Sequence, residues 1–254
     1  MNTEINASKN NSPATSAPTT LEATIESTRN LTKDMLQVIL RLPNDSNIHH
    51  RSGQYLECNI DDKITPFSIA NHDAGKNTIE LHIRDIPDNS NSTVVLNHCA
   101  NSTSLKITLP KGNCVFNAKD EKPVIFICGS NGFSQMKAML EDALSSGVTR
   151  PLYLYWGAQI PSDLYLNELP EKWAKQYSQF NYIPVISNNT DQPWSGRTGL
   201  VHHAVLEDFA SLSDFMVYSS GSPGMVYAIY DDFVAQGLDK NNMAADVFEY
   251  APRK

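Results

Sequence analysis

Cysteine is scarce in this 254-residue chain, and the four present, Cys58, Cys99, Cys114 and Cys128, form no C-x-x-C pair. That scatter excludes an in-chain iron-sulfur cluster and leaves the reduced thiols of a cytoplasmic protein as the expectation. No apolar run approaches the roughly 20 residues of a membrane span, and the N-terminus lacks the basic-then-apolar order of a signal peptide. Positive charge is in deficit: 20 Lys and Arg face 28 Asp and Glu, a formal net charge of -8. Nucleic acids and anionic membranes demand clustered cations, so small molecules or proteins are the expected partners. The G-x-G-x-x-G fingerprint, the G-x-x-x-x-G-K phosphate loop and the G-x-S-x-G elbow are all missing. The paired histidines His49-His50 and His202-His203 lack the i, i+3 or i+4 spacing that brings two ligands to one helix face, so no metal is expected.

What is present falls into two halves of different period. Residues 1–20 are Asn, Ser, Thr, Ala and Pro with little to bury, and read as a disordered tail. From 21 to 117 the chain breaks into short extended runs, "LEATIESTRN", "MLQVILRLP", "QYLECNI", "PFSIA", "TIELHIR" and "SLKITLP", punctuated by Pro, Gly, Asn and Asp. Six short strands with no evident long helix predict an antiparallel β-barrel or sandwich. From 118 to 254 strands alternate with helices: "VIFIC", a helix over Phe133 to Ser145, "PLYLYW", a helix over Leu164 to Tyr177, "FNYIPVIS", a helix over Leu200 to Phe209, "FMVYSS", and a helix over Pro223 to Gln236. That alternation predicts an α/β domain with a parallel sheet.

In open parallel sheets ligands bind beyond the carboxyl ends of the strands. Two such turns are glycine-rich, "CGSNGFS" at Cys128 to Ser134 and "SSGSPGM" at Ser219 to Met225. Glycine there lets a backbone approach a ligand, and a helix start offers free N–H groups to a phosphate. In the first half, "KITPFSIANHD" places a serine, a poor strand former, inside an otherwise apolar run, where a hydroxyl on a rigid strand end can be aimed at one ligand atom.

The ordered set "RSGQYLECNIDDKITPFSIAN", "IELHIR", "ICGSNGFSQMKAML", "YLYWGAQIPSDLY", "WSGRTGLVHHAVL" and "VYSSGSPGMVYAIYDDFVAQGL" resembles the NAD(P)H-flavin reductases of the ferredoxin-NADP reductase superfamily, from Leu21 to Tyr250. The resemblance implies a flavin-binding antiparallel barrel followed by an NAD(P)-binding α/β domain. It implies that Ser68 donates a hydrogen bond to flavin N5, that Thr65, Pro66, Phe67, Ile69 and Ala70 surround the flavin ring, and that His82 and Arg84 also serve the flavin. Gly129, Ser130, Asn131 and Gly132 would face the dinucleotide, with Ser220 and Gly221 near the nicotinamide. The implied reaction moves hydride from NADH or NADPH to FAD, FMN or riboflavin.

Departures from the family pattern shape that expectation. Thr65 stands where many relatives have an arginine for the flavin phosphate, and Ser130 and Asn131 where a glycine and a threonine are common. Weak, exchangeable flavin binding follows as the expectation, with Ser90, Ser92 and Thr93 as remaining donors. No Lys or Arg occurs from Ala158 to Asn167, where relatives that prefer NADPH place cations, so NADH should serve at least as well. Two alternatives stay open: a flavin-retaining electron-transfer subunit for an iron-sulfur or oxygenase partner, and a degenerate flavin- or nucleotide-binding paralogue without turnover.

Overall fold

The structure, a computed structural model, describes residues 17–86, 90–188 and 193–253; residues 1–16 of the expected tail lie outside the described residues. The first half contains β1 (Thr19–Asn30), β2 (Met35–Arg41), β3 (Tyr55–Ile60), β4 (Lys63–Ser68), β5 (Thr78–Arg84) and β6 (Ser104–Lys111). They pair antiparallel in the order β4-β3-β6-β1-β2-β5, which leaves β4 and β5 as edges. Period-two burial drives the curl: Leu56, Cys58 and Ile60 of β3 point inward, against Ile79, Leu81 and Ile83 of β5. Pro66 is tolerated because β4 is an edge. Closure occurs just beyond Ser68, where Ala70 N–H donates to the Glu80 carbonyl of β5 at 2.8 Å.

One element departs from the sequence reading. Ser90–Asn101 forms a 12-residue helix, α1, where no long helix was expected. Its Asn, Ser, Thr and Val content is unfavourable in isolation, and tertiary burial overrides propensity. Val95 and Cys99, four residues apart, enter the barrel core and close one end of it.

The second half contains β7 (Val124–Gly129), α2 (Phe133–Ser145), β8 (Leu152–Ala158), α3 (Glu168–Gln176), β9 (Phe180–Ile186), β10 (Arg197–Thr198), α4 (Val201–Asp208), β11 (Met216–Ser220), α5 (Pro223–Ala235), β12 (Met243–Ala244) and α6 (Val247–Tyr250). All strand pairs are parallel, in the order β10-β9-β8-β7-β11-β12. Alternate residues of β7 feed opposite cores: Val124, Phe126 and Cys128 pack with α2 and α3, Ile125 and Ile127 with α4 and α5. Helix α3 starts four residues later than the spacing predicts. Pro170 lies in its first turn, and a helix continued further back would drive the ring into the carbonyl four residues earlier.

The two halves meet through a buried charge cluster. Lys137 of α2 reaches into the barrel, where its ammonium donates to Ala70 O at 2.9 Å and to Glu80 Oε2 at 2.8 Å and pairs with Glu141 Oε1 at 2.7 Å. Glu80 Oε1 also meets His82 Nε2 at 2.8 Å. Burial alone would raise the Glu80 pKa, but the His82 hydrogen bond and the Lys137 charge outweigh it and hold it at about 2, below the ordinary 4.5. A depressed folded pKa means that this stabilisation is complete above pH 4.5 and is lost as pH falls toward 2. Glu80→Gln should lower stability by about 3 kcal/mol at pH 7, because Lys137 stays buried with one carboxylate fewer, and adding Lys137→Met should recover part of the loss. Urea unfolding of the two variants checks this, and Glu80→Gln should also flatten the acid limb of the stability profile.

Candidate functional site

Strand order reverses between β7 and β11, so the carboxyl ends of these two strands open a crevice. Beyond β7 the chain makes a 3-10 turn, Ser130–Gly132, before α2. Ser130 adopts φ +49, a left-handed conformation costly for a side chain. It is held there from two directions: Trp156 Nε1 donates to its carbonyl at 2.9 Å, and Arg84 donates to its hydroxyl. Gly132 has no alternative residue, since a Cβ would lie 2.4 Å from the Ser220 carbonyl oxygen at the end of β11. Here glycine allows strand to approach turn, whereas the sequence suggested approach of backbone to ligand. Met225 of α5 packs against Gly129 and Gly221 in the same way.

A cleft of about 640 Å³ runs along this edge, bordered by Gly129 to Gly132, Ser220 and Gly221. Two cavities of about 350 Å³ each adjoin it on the barrel side. One is bordered by Thr65, Pro66, Phe67, His82, Arg84 and Ser92. The other lies between Phe67, Tyr55, Gln135, Ser219, Asp246 and Tyr250. Among the described residues, Ser68 alone borders all three spaces. Its position is fixed by its neighbours: Ser68 pairs with Tyr55, Ile69 N–H donates to Gln54 O at 3.0 Å, and Ala70 closes onto Glu80. Ile69 and Ala70 are fully buried with both N–H groups used inside the barrel, and they border none of the three spaces.

The wall beside Ser68 is polar and tightly held. Arg84 donates to Asp34 Oδ2 at 2.9 Å and Asp163 Oδ1 at 2.8 Å as well as to Ser130, so its guanidinium clasps the turn after β7 to the barrel. Burial works against its charge, but the two carboxylates prevail and raise its pKa. His82 Nδ1 lies 3.0 Å from the Tyr165 hydroxyl, and burial lowers the His82 pKa despite the Glu80 carboxylate. In the cavity under Ser68, Ser219 Oγ and Asp246 Oδ1 are buried without a hydrogen-bond partner. A cavity walled by the Phe67, Tyr55 and Tyr250 rings, with the polar Gln135, Ser219 and Asp246 among its bordering residues, suits a flat heterocycle such as an isoalloxazine.

Most of the sequence candidates are therefore gathered into one place. Thr65, Pro66, Phe67, Ser68, His82 and Arg84 lie on the barrel side, and Gly129, Ser130, Asn131, Gly132, Ser220 and Gly221 on the sheet side. Of the expected phosphate donors, Ser92 borders the barrel cavity, and the Ser90 side chain lies outside the described residues. Sequence reasoning missed Gln135, Asp246 and Tyr250. Asp246 reaches the site from far along the chain, following the two-residue β12, and carries no local motif.

Similarity to characterised proteins agrees with this geometry. Residues 22–116 match the oxidoreductase FAD-binding domain and residues 126–231 the oxidoreductase NAD-binding domain. The chain is 33% identical over 212 residues to a probable flavin reductase of Photobacterium leiognathi, covering 81% of this chain and 89% of that one. It is 34% identical over 220 residues to the reductase component 1 of terephthalate 1,2-dioxygenase from Comamonas sp, covering 86% of this chain and 65% of that one. It spans 60 to 65% of the length of the longer curated relatives it matches. The solved structure of an Amycolatopsis cytochrome P450 reductase superimposes with a TM-score of 0.82 at 23% identity, over 90% of this chain and 69% of that one. The two halves thus match the flavin-binding and dinucleotide-binding domains of oxidoreductases. The chain belongs to the NAD(P)H-flavin reductase family of the ferredoxin-NADP reductase superfamily.

Burial, aided by the Glu249 charge, pushes the Asp246 pKa up to about 6 against the Gln135 hydrogen bond, from an ordinary 3.8. The folded state then holds this proton more tightly than the unfolded chain, so stability falls as pH rises from 3.8 through 6. Asp246→Asn should abolish that fall and be about 1–3 kcal/mol more stable than the natural protein at pH 8, with little difference at pH 3.5, as read by denaturant unfolding.

Proposed function

We propose that this chain carries hydride from NAD(P)H to a flavin seated against β4, with the dinucleotide lying along the carboxyl edge of the parallel sheet. The observation that carries this reading is Ser68, which alone among the described residues borders the dinucleotide cleft and both barrel-side cavities. When bound, the flavin supplies the two-electron chemistry, and no protein acid or base is needed for the transfer itself. The task of the chain is to hold two ring faces together and to point one hydroxyl at the reacting edge. Ser68 is suited to it because main-chain hydrogen bonds at Ile69 and Ala70 hold its backbone rigid. Pro66 and Phe67 line both barrel-side cavities beside it. Arg84 is occupied by Asp34, Asp163 and Ser130, and Thr65 offers no cation, so a flavin phosphate meets little free positive charge. That arrangement favours a flavin that exchanges with solution.

Ser68→Ala should slow flavin reduction between about threefold and a hundredfold, the kinetic equivalent of one lost hydrogen bond, while thermal unfolding stays unchanged. The assay is anaerobic: protein, NADH and riboflavin are mixed and the loss of oxidised-flavin absorbance is followed. The absence of bleaching above the protein-free control with both nicotinamide cofactors would overturn the proposal. A retained flavin serving a protein acceptor is the second reading, favoured by the similarity to a dioxygenase reductase component. Yellow flavin that co-purifies and survives gel filtration would distinguish it.

Among the described residues, neither Lys nor Arg borders the dinucleotide cleft, whereas Gln159 does. The nearest candidates in sequence are engaged elsewhere: Lys172 borders a separate cavity beside α3, and Arg197 is bound by Asp208 and the Ala204 carbonyl. A 2'-phosphate would therefore gain only neutral hydrogen bonds. NADH should be used at least as efficiently as NADPH, and Gln159→Arg should move the kcat/KM ratio toward NADPH by about tenfold, or 1.4 kcal/mol. Steady-state kinetics with both cofactors check the native ratio and the shift.

A further inference from the structure

Three side chains with metal-ligating atoms converge beside the dinucleotide cleft, and one of them, His202, borders it. His202 and His203 occupy the first turn of α4, and Asp232 extends from the neighbouring α5. Consecutive residues on a helix point about 100° apart, the geometry that spoke against a metal at the level of sequence. Here the two imidazole rings nevertheless lie 4.4 Å apart between centroids, at 67° to each other. His202 Nε2 stands 3.2 Å from Asp232 Oδ2. One ligand atom from each of His202, His203 and Asp232 lies within 4.8 Å of the other two.

Tetrahedral zinc, with bonds of about 2.0–2.2 Å to nitrogen and oxygen, places its ligand atoms about 3.3 Å apart. The His202–Asp232 edge already has that length, and His203 is exposed, so a torsional change of its side chain closes the remaining gap. Burial of His202 fixes one ligand in advance. Two imidazole nitrogens and one carboxylate oxygen are a donor set for zinc and its neighbours among the transition metals, with a fourth position left for water. We propose that His202, His203 and Asp232 form a binding site for a divalent transition metal of the zinc class, and that its occupation weakens dinucleotide binding. The coupling arises because His202 also borders the cleft, so a ring nitrogen given to the metal is no longer available to the dinucleotide. Metal binding stands on the three side chains alone, while the coupling rests on the assignment of the cleft to NAD(P)H.

Calorimetric titration of the metal-stripped full chain with zinc chloride tests the site, in the natural protein and in His203→Ala and Asp232→Asn. Zinc should bind at one per chain, and each variant should lose about tenfold or more in affinity. No binding, or equal affinity in all three proteins, would overturn the site. His203 borders none of the three spaces around Ser68, so His203→Ala should leave metal-free activity unchanged. Fluorescence titration with NADH then reads the coupling: saturating zinc should raise the apparent Kd about threefold or more in the natural protein and leave His203→Ala unmoved. Zinc binding with unchanged NADH affinity would overturn the coupling. Failure of NADH to bind with or without zinc would count against the reading of the cleft and leave the calorimetric result standing.

Discussion

The structure depends on one buried ammonium. Lys137 has three N–H donors, and the barrel wall and its own helix present three acceptors to them: the Ala70 carbonyl, Glu80 and Glu141. A charge removed from water is tolerable only when paired and hydrogen-bonded, so the arrangement specifies how α2 sits against the barrel. Ala70 lies two residues beyond Ser68, and α2 begins at the dinucleotide turn. One side chain thus sets the distance between the residue proposed to serve the flavin and the loop proposed to serve the dinucleotide. Arg84 repeats the connection from the other direction, joining β5 to Ser130 and Asp163. These two cationic clasps give polar, directional control over the spacing of two ring systems.

Around these clasps the backbone is packed so closely that Gly132 has no room for a Cβ. The absence of a Cβ at Gly132 lets the end of β11 touch the turn after β7, and Met225 fills the space that Gly129 and Gly221 leave. The glycine-rich appearance of both turns therefore reflects first the contact of protein with protein at the reversal of strand order. A ligand benefits because the crevice is formed before it arrives, with Trp156 stacked on Phe133 at 3.9 Å and bonded to the Ser130 carbonyl.

Helix α1 and Asp246 show where local signals fail. The run from Ser90 to Asn101 has weak helix formers and no acidic residue in its first turn, and it becomes helical because Val95 and Cys99 find the open end of a barrel. Asp246 acquires its raised pKa from burial among residues of β3, α2 and α6 that the chain brings together only on folding. His202 and His203 likewise meet Asp232 across two helices, a proximity that neighbouring positions on one helix could not reveal.

The sequence by itself determined the two periods, the alternating strands of a barrel and the fully apolar β7 of a parallel sheet, because binary patterning acts locally and each strand carries its own instruction. It also marked Ser68, Gly129 to Gly132 and Ser220 to Gly221, since glycine, proline and serine at strand ends have steric consequences within a few residues. Tertiary structure alone decided which of these share a space. It turned Ile69 and Ala70 inward, committed Arg84 to two carboxylates, and brought Asp246 beneath Ser68. Burial and charge pairing are properties of neighbours in space, and the residues that set them here lie far apart along the chain, Gln135 and Asp246 by 111 positions.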